Sequence, residues 1–492
     1  MVAKKPITIE EALSQPMWKT AMAAEIGSIE RNATWELVPR PPRRKIIGVR
    51  WVYKTKYRSD GTLDKHKARL VARGFTQKAG IDYDETFAPT VRMTTIRIVL
   101  ALSAHERWPV FQMDVKSAFL NGDLKEEVYV SQPPGFLVPG KEEYVYRLFK
   151  ALYGLKQAPR AWNEKMDQYL KQQGFIRSHA DSNLYYKSEG GRLCVLVLYV
   201  DDLIITGNDL LLVEQIKAAL CQRFEMTDLG TLHFFLGLEI QQTPGGMFVS
   251  QQRYVLELLE KFQMRDARSI SSPMDPNKKL SSNDNSGLAD AVRYRQLVGS
   301  LIWLLNTRLD VSFVVGILSS FMQQPRKSHM RLAQRVLRYL RDTPTLGLWY
   351  AAGGPDSSFT LRGWCDSDWG GNPDSRRSTT GYVFTFGSGA VSWISKKQPT
   401  VALSSTEAEY RAACSATTEV IWIQRLLAEL GFPSRRRFLQ LTTKAALPLL
   451  GTRSFMPGPS TLRSSIILFR KRCWTVRWSF SIVLRHPTLQ TC

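Results

Sequence analysis

The stretch Leu193-Cys194-Val195-Leu196-Val197-Leu198-Tyr199-Val200-Asp201-Asp202-Leu203-Ile204-Ile205-Thr206-Gly207 decides how the rest of the chain is read. A run of β-formers leads into Tyr199-Val200-Asp201-Asp202, and Leu203-Ile204-Ile205 follows. Apolar runs on both sides of two adjacent acids predict a strand hairpin with the acids at its tip. Taken alone, an Asp pair between strands is an ordinary polar turn. Two carboxylates set between apolar strands are costly, however, unless something positive lies between them. A divalent metal supplies that charge, and hard cations such as Mg²⁺ prefer oxygen ligands.

Upstream, Val110 to Met113 predicts a strand that ends near Asp114 and turns into a short helix through Ser117-Ala118-Phe119-Leu120. An acid at a strand end beside a helix start is a common catalytic placement, and a simple helix cap is the alternative. Nearer the N-terminus, Gly48 to Lys56 and His66 to Gly74 alternate like two strands around an Asp60-Gly61 turn. Lys54, Lys56, Lys67, Arg69 and Arg73 give that hairpin a basic platform, which a solvated sheet face would explain equally well. Leu152 to Trp162 is a loop punctuated by Gly154 and Pro159 before a helix over 163–173.

Further on, the pattern predicts a helix over 210–224, a strand over 233–241, the turn Pro244-Gly245-Gly246 and a helix over 251–262. Residues 270–287 are rich in Ser, Pro, Asn and Asp and read as a linker. Residues 294–321 and 328–341 read as helices, the second strongly basic. Short strands then follow over 359–365, 379–386 and 389–396, with a long helix over 406–430.

The chain has 492 residues and a formal net charge of +23, which favours a polyanionic partner, most often nucleic acid. Six cysteines show neither a CxxC pair nor metal-ligand spacing and read as thiols of a reducing compartment. No signal-peptide pattern and no apolar run of membrane-spanning length are present. The expected setting is intracellular, either cytoplasmic and particle-associated or nuclear, with no membrane contact.

These residues in this order resemble the Pol polyprotein of copia-type LTR retrotransposons. The resemblance runs from about Trp18 to Gly431. It rests on Trp35-Glu36-Leu37-Val38, residues 67–74, Gly80-Ile81-Asp82-Tyr83, residues 113–122, Gln132-Pro133-Pro134-Gly135-Phe136, residues 152–162, Tyr199 to Asp202 and Leu236-Gly237-Leu238-Glu239-Ile240. It implies an α+β fold: a right-hand polymerase (fingers, palm, thumb) followed by a truncated RNase H-like α/β domain. The implied layout is an N-terminal helix and linker over 1–44, fingers and palm over 45–245, thumb and connection helices over 246–356, a partial RNase H-like domain over 357–432 and a tail over 433–492.

The implied activity is RNA-directed DNA synthesis from dNTPs on an RNA template and a DNA primer. In the family, the carboxylates matching Asp114, Asp201 and Asp202 are catalytic and hold two Mg²⁺ ions, with Mn²⁺ able to substitute. Phe119 matches the aromatic that blocks a ribose 2′-hydroxyl, although a core aromatic is the plainer reading. Lys67, Arg69 and Arg73 are triphosphate candidates by charge and location. Tyr153 and Gly154 would lie under the nucleotide, and Leu236, Gly237, Leu238 and Glu239 match the turn that grips the primer end.

Residues 357–430 resemble the front half of an RNase H domain, through Asp366-Ser367-Asp368-Trp369, Ser378 to Tyr382, Ser392 to Gln398 and Ser404 to Tyr410. Asp366 and Glu409 align with its first two metal-binding acids. Past Gly431 the pattern stops: no Asp or Glu follows, while eleven Lys and Arg do. Codons can be chosen from Leu441 onward so that dropping two nucleotides restores an Asp-Asn strand, a His-rich segment and several acids. The expectation is a frameshift near 433–440, an out-of-frame basic tail, a lost central strand that leaves the sheet edge bare, and no RNase H activity. With no protease or integrase ahead of the polymerase, the chain reads as a piece of a longer polyprotein. A non-catalytic nucleic-acid-binding remnant is the competing function.

Overall fold

The computed structural model describes residues 6–57, 62–275, 278–354, 360–433 and 438–441. The Asp60-Gly61 turn and most of the basic tail lie outside the described residues, as do the side chains of Lys56 and Tyr57. Helices and strands are mixed along the whole chain, and no helix among the described residues is long and apolar enough to cross a membrane.

Helices α1 (Ile9–Leu13) and α2 (Pro16–Arg31) open the chain, followed by strands β1 (Trp35–Val38) and β2 (Ile46–Ile47). Strands β3 (Val49–Tyr57) and β4 (Leu63–Ala72) pair as an antiparallel hairpin. Along β4, Ala68, Leu70 and Ala72 are buried. Lys65, Lys67 and Arg69 alternate with them onto the other face, as the two-residue period of a strand requires. Next come α3 (Met93–His105), β5 (Val110–Val115), β6 (Asp123–Val130), β7 (Val145–Lys150) and α4 (Ala158–Gln172).

Strands β8 (Ile176–Arg177), β9 (Leu184–Glu189), β10 (Arg192–Tyr199) and β11 (Asp202–Gly207), helix α5 (Leu210–Arg223) and strand β12 (Met226–Thr231) complete a central sheet ordered β12-β5-β11-β10-β9-β8. Leu193 to Leu198 and Leu203 to Ile205 are all buried, so these middle strands are covered on both faces. That explains why their sequence is a continuous apolar run rather than an alternating one.

Strands β13 (Phe234–Phe235), β14 (Leu238–Thr243) and β15 (Gly246–Ser250) lead into helices α6 (Gln252–Lys261), α7 (Ala291–Leu304), α8 (Ser312–Ser319) and α9 (Lys327–Asp342). Strand β16 (Leu348–Ala351) returns to pair with β15. Two expectations need correction here. The strand predicted over 233–241 is broken at Leu236-Gly237, where both residues have positive φ (49° and 75°) and form a two-residue hairpin turn. The helix predicted over 294–321 is two helices separated by a 3₁₀ turn, Leu309–Val311. Side chains pin the break: Gln251 Nε2 donates to the Trp303 carbonyl at the end of α7 (3.2 Å), the Thr307 hydroxyl donates to Gln251 Oε1 (2.9 Å), and buried Arg308 pairs with Asp310 (2.8 Å).

The C-terminal unit comprises β17 (Leu361–Ser367), β18 (Thr379–Phe386), β19 (Gly389–Lys397), α10 (Ser405–Glu429) and β20 (Phe438–Leu441), with sheet order β19-β18-β17-β20. The expected bare edge is not found: β20 pairs parallel with β17, from Arg362↔Phe438 to Cys365↔Leu441. Strand pairing uses backbone groups, so an apolar Phe-Leu-Gln-Leu run fills the place whether or not it carries an acid.

Candidate active site

The β10–β11 hairpin is closed by the pair Tyr199↔Asp202, leaving Val200-Asp201 as a two-residue turn. Val200 has φ 56°, a left-handed conformation that a β-branched residue strongly disfavours. The turn is held from two sides. The Trp162 indole N–H donates to the Val200 carbonyl at 2.6 Å, and the Val115 N–H donates to the Asp201 carbonyl at 2.8 Å. Trp162 is itself buried on α4, edge-on to Phe224.

Strand β11 lies antiparallel to β5 with Asp202 directly opposite Asp114. Directly opposed residues project to the same face with Cβ atoms about 4.5–5.5 Å apart. Gln112, two residues before Asp114 and so on the same face, donates from Nε2 to Asp202 Oδ1 at 3.3 Å. The fold thus places Asp114 and Asp202 across one strand pair and Asp201 on the adjoining turn. Like charges in that position repel, and a hard dication relieves the repulsion. The donor set suits Mg²⁺ in chemistry. Among the described residues, no three His, Cys, Asp or Glu side chains are gathered so as to hold a metal by themselves.

A second group of residues gathers around Tyr153. The Tyr153 carbonyl accepts from the Ala72 N–H at 2.7 Å, which docks the 152–157 loop on the end of β4. Close approach requires glycine on both sides. A Cβ on Gly154 (φ 95°) would lie 2.3 Å from the Ala72 oxygen, and one on Gly74 would lie 2.0 Å from the Gly154 oxygen. Docked this way, the half-exposed Tyr153 ring sits 4.8 Å below the Arg69 guanidinium and 5.0 Å from the Phe119 ring. Phe119 reaches this point because Ser117 adopts a left-handed conformation (φ 53°) that turns the chain sharply after β5.

Lys67 shares the Arg69 face of β4 and stands opposite Lys54. Arg73 lies past the end of β4, exposed, with its side chain against Gly48 rather than in the Tyr153 group. The Leu236-Gly237 turn packs against Trp303 of α7, whose ring lies 3.4 Å from where a Gly237 Cβ would be. Leu238 is buried, and the Glu239 carboxylate accepts the Arg253 N–H at the start of α6 (2.6 Å).

In the C-terminal unit, Asp366 is on β17 and Glu409 on α10. The buried Glu409 carboxylate accepts the N–H of Ser367, the residue after Asp366, at 3.3 Å. Burial by apolar surroundings pushes the adjacent Cys365 thiol up to about 12, and Glu409 and Asp366 push the same way. Asp368, just past the end of β17, was not singled out by the sequence. Burial raises its carboxyl, and it accepts the Thr379 N–H. Trp162 and Gln112 were also missed as supporting residues. Both stand inside or beside recognisable motifs, but their roles depend on which strand lies next to which.

Residues 32–276 match the family described as reverse transcriptase (RNA-dependent DNA polymerase). The chain is 45% identical over 428 residues to the retrovirus-related Pol polyprotein from transposon RE1 of Arabidopsis thaliana, covering 87% of this chain and 29% of that protein. It is 41% identical over 459 residues to the corresponding polyprotein from transposon TNT 1-94 of Nicotiana tabacum, covering 91% and 34%. A transposon Ty5-1 protein of Saccharomyces cerevisiae is 36% identical over 311 residues, which is 63% of this chain and 100% of that protein. The chain spans about a third of the length of the polyproteins it matches.

Proposed function

Because the chain belongs to the reverse transcriptase family of copia-type transposons, we propose that it is an RNA-directed DNA polymerase that extends a DNA primer on an RNA template. The observation that carries this reading is the Asp202↔Asp114 register with Asp201 on the adjoining turn. Opposed like charges on neighbouring strands repel, and a hard dication relieves that repulsion.

Asp114, Asp201 and Asp202 would hold the Mg²⁺ ions. When bound, these would lower the pKa of the primer 3′-hydroxyl and neutralise the triphosphate and the departing pyrophosphate. The protein's own share is positional. Trp162 and the Val115 N–H fix the turn that aims Asp201, and Gln112 orients Asp202. Arg69, braced on the Tyr153 ring, offers a planar guanidinium to a triphosphate, with Lys67 two residues away on the same face. Phe119 beside Tyr153 closes the sugar side of that group and so favours deoxynucleotides. The Leu236-Gly237 turn, backed by Trp303, supports the primer end.

In this reading residues 45–245 are fingers and palm, 246–356 thumb and connection, and 357–432 an RNase H-like unit without nuclease activity. The 433–492 tail is an out-of-frame segment. The test is primer extension on an RNA template with Mg²⁺ and dNTPs, comparing wild type with Asp201→Asn. The expected loss in the variant is about 10²–10³-fold or more. A folded wild type that adds no nucleotide would overturn the proposal and favour a non-catalytic nucleic-acid-binding remnant.

A further inference from the structure

Helix α3 is buried on every side: each residue from Thr95 to Ala104 is inaccessible, including Arg97. A helix with no solvent face needs walls all round. The central sheet and the β14–β16 sheet supply part of that enclosure. Val110, Val195, Ile204, Ile240 and Leu348 share one apolar core with α3. The same core continues without interruption into Phe384 and Val391 of the C-terminal sheet and into Ile423 and Leu426 of α10.

Polar contacts fasten the junction. Arg97 donates to the Val391 carbonyl (2.8 Å) on β19 and to the Asn306 carbonyl (3.1 Å) after α7, and its guanidinium lies 3.9 Å over the Trp393 ring. One side chain therefore joins α3, the helical unit and the C-terminal unit. A buried cation is tolerable only when satisfied in this way, and burial still pushes its pKa down to about 10. Elsewhere the Trp422 indole N–H donates to the Ala180 carbonyl (2.8 Å) with Arg92 over its ring, and the Tyr350 hydroxyl donates to the Ala390 carbonyl (2.9 Å).

Units joined by an ordinary interdomain surface move relative to each other, whereas a continuous apolar core does not permit it. We propose that the C-terminal unit has a structural function separate from any nuclease chemistry: it is the outer wall of α3, and it folds and unfolds as one cooperative body with the sheet that carries Asp114, Asp201 and Asp202. The wall is built from apolar side chains and backbone carbonyls, so missing carboxylates downstream of Gly431 do not weaken it.

The test is hydrogen exchange on the full chain, following the amides of α3 and of β18 in Ile423→Val, a substitution mild enough to leave the protein folded. The expected result is about 3- to 10-fold faster exchange in α3 and β18 alike. Leu403→Ala, an exposed position in the same unit, is expected to change neither. The converse experiment is Arg97→Met, which should speed exchange in β18 and β19 as well as in α3. Faster exchange confined to the unit that carries the substitution, in either variant, overturns the proposal.

Discussion

Val200 is the residue where the site stores strain. A valine at φ 56° costs on the order of 1–3 kcal/mol, because its branched Cβ crowds the carbonyl that follows. The Trp162 indole offsets part of that with a short bond to the Val200 carbonyl from a buried position, where an unmet donor or acceptor costs about 1–3 kcal/mol. The two residues are therefore expected to be coupled. Trp162→Phe keeps an aromatic ring but loses the bond, and should lower the rate of primer extension several-fold with little change in the KM for dNTP. Adding Val200→Gly removes the strain that the bond opposes, since glycine occupies this region freely, and should recover part of the rate. Steady-state extension kinetics on the two single variants and the double variant check this. Strictly multiplicative effects would show that the indole acts elsewhere.

Among the elements, α9 and the chain that leads into the linker are held together by side chains that reach backbone carbonyls. Composition marks 270–287 as a linker, and α9 as a strongly basic helix. In the structure three arginines one turn apart, Arg335, Arg338 and Arg341, donate to the carbonyls of Ser272, Arg268 and Arg265, and strap residues 265–272, the stretch that leads into the linker, along the helix. His329 completes the attachment. Its ring is fully buried against Phe321 (3.8 Å); Nδ1 accepts the Arg326 N–H, and Nε2 faces the Ser281 carbonyl. Only the neutral Nε2–H tautomer satisfies both partners, and burial lowers the ring's pKa below the usual 6.5. An unfolded chain takes up a proton below that pH and the folded one does not. The stabilisation is therefore complete above about pH 6.5 and declines as pH falls through it. Ring NMR signals followed from pH 8 to 5 should show His329 reaching half-protonation only below pH 6.5, and half-protonation at or above 6.5 would refute the assignment. Periodicity made α9 and the buried β10–β11 run legible, since both follow from where apolar residues recur. The breaks at Leu236-Gly237 and Asn306-Thr307-Arg308, and the arginine straps, were not legible, because each depends on a partner distant in the chain.

At the scale of the whole molecule, the two candidate sites face opposite prospects although they share one core. The first has Asp114 and Asp202 opposed on neighbouring strands of the central sheet and Asp201 on the adjoining turn. The second has Asp366 and Glu409, with Asp368 close by, and hydrolysis of a phosphodiester by this chemistry needs enough carboxylates to hold two metal ions. Asp368 is poorly placed to add one. Its carboxylate is taken up by the Thr379 N–H and lies against Gly371, so close that a Cβ there would meet its Oδ2 at 1.9 Å. The strand beside β17 supplies no acid either, because Phe438–Leu441 contains none and neither does any residue after it. Pairing of β20 therefore preserves the sheet without restoring the site. A chain that extends a primer on RNA should accordingly leave that RNA intact. With an end-labelled RNA–DNA hybrid and Mg²⁺, wild type and an Asp366→Asn/Glu409→Gln double variant should release RNA at the same background rate. Release by wild type well above the double variant would mean that the two acids complete a working site with donors from elsewhere in the chain.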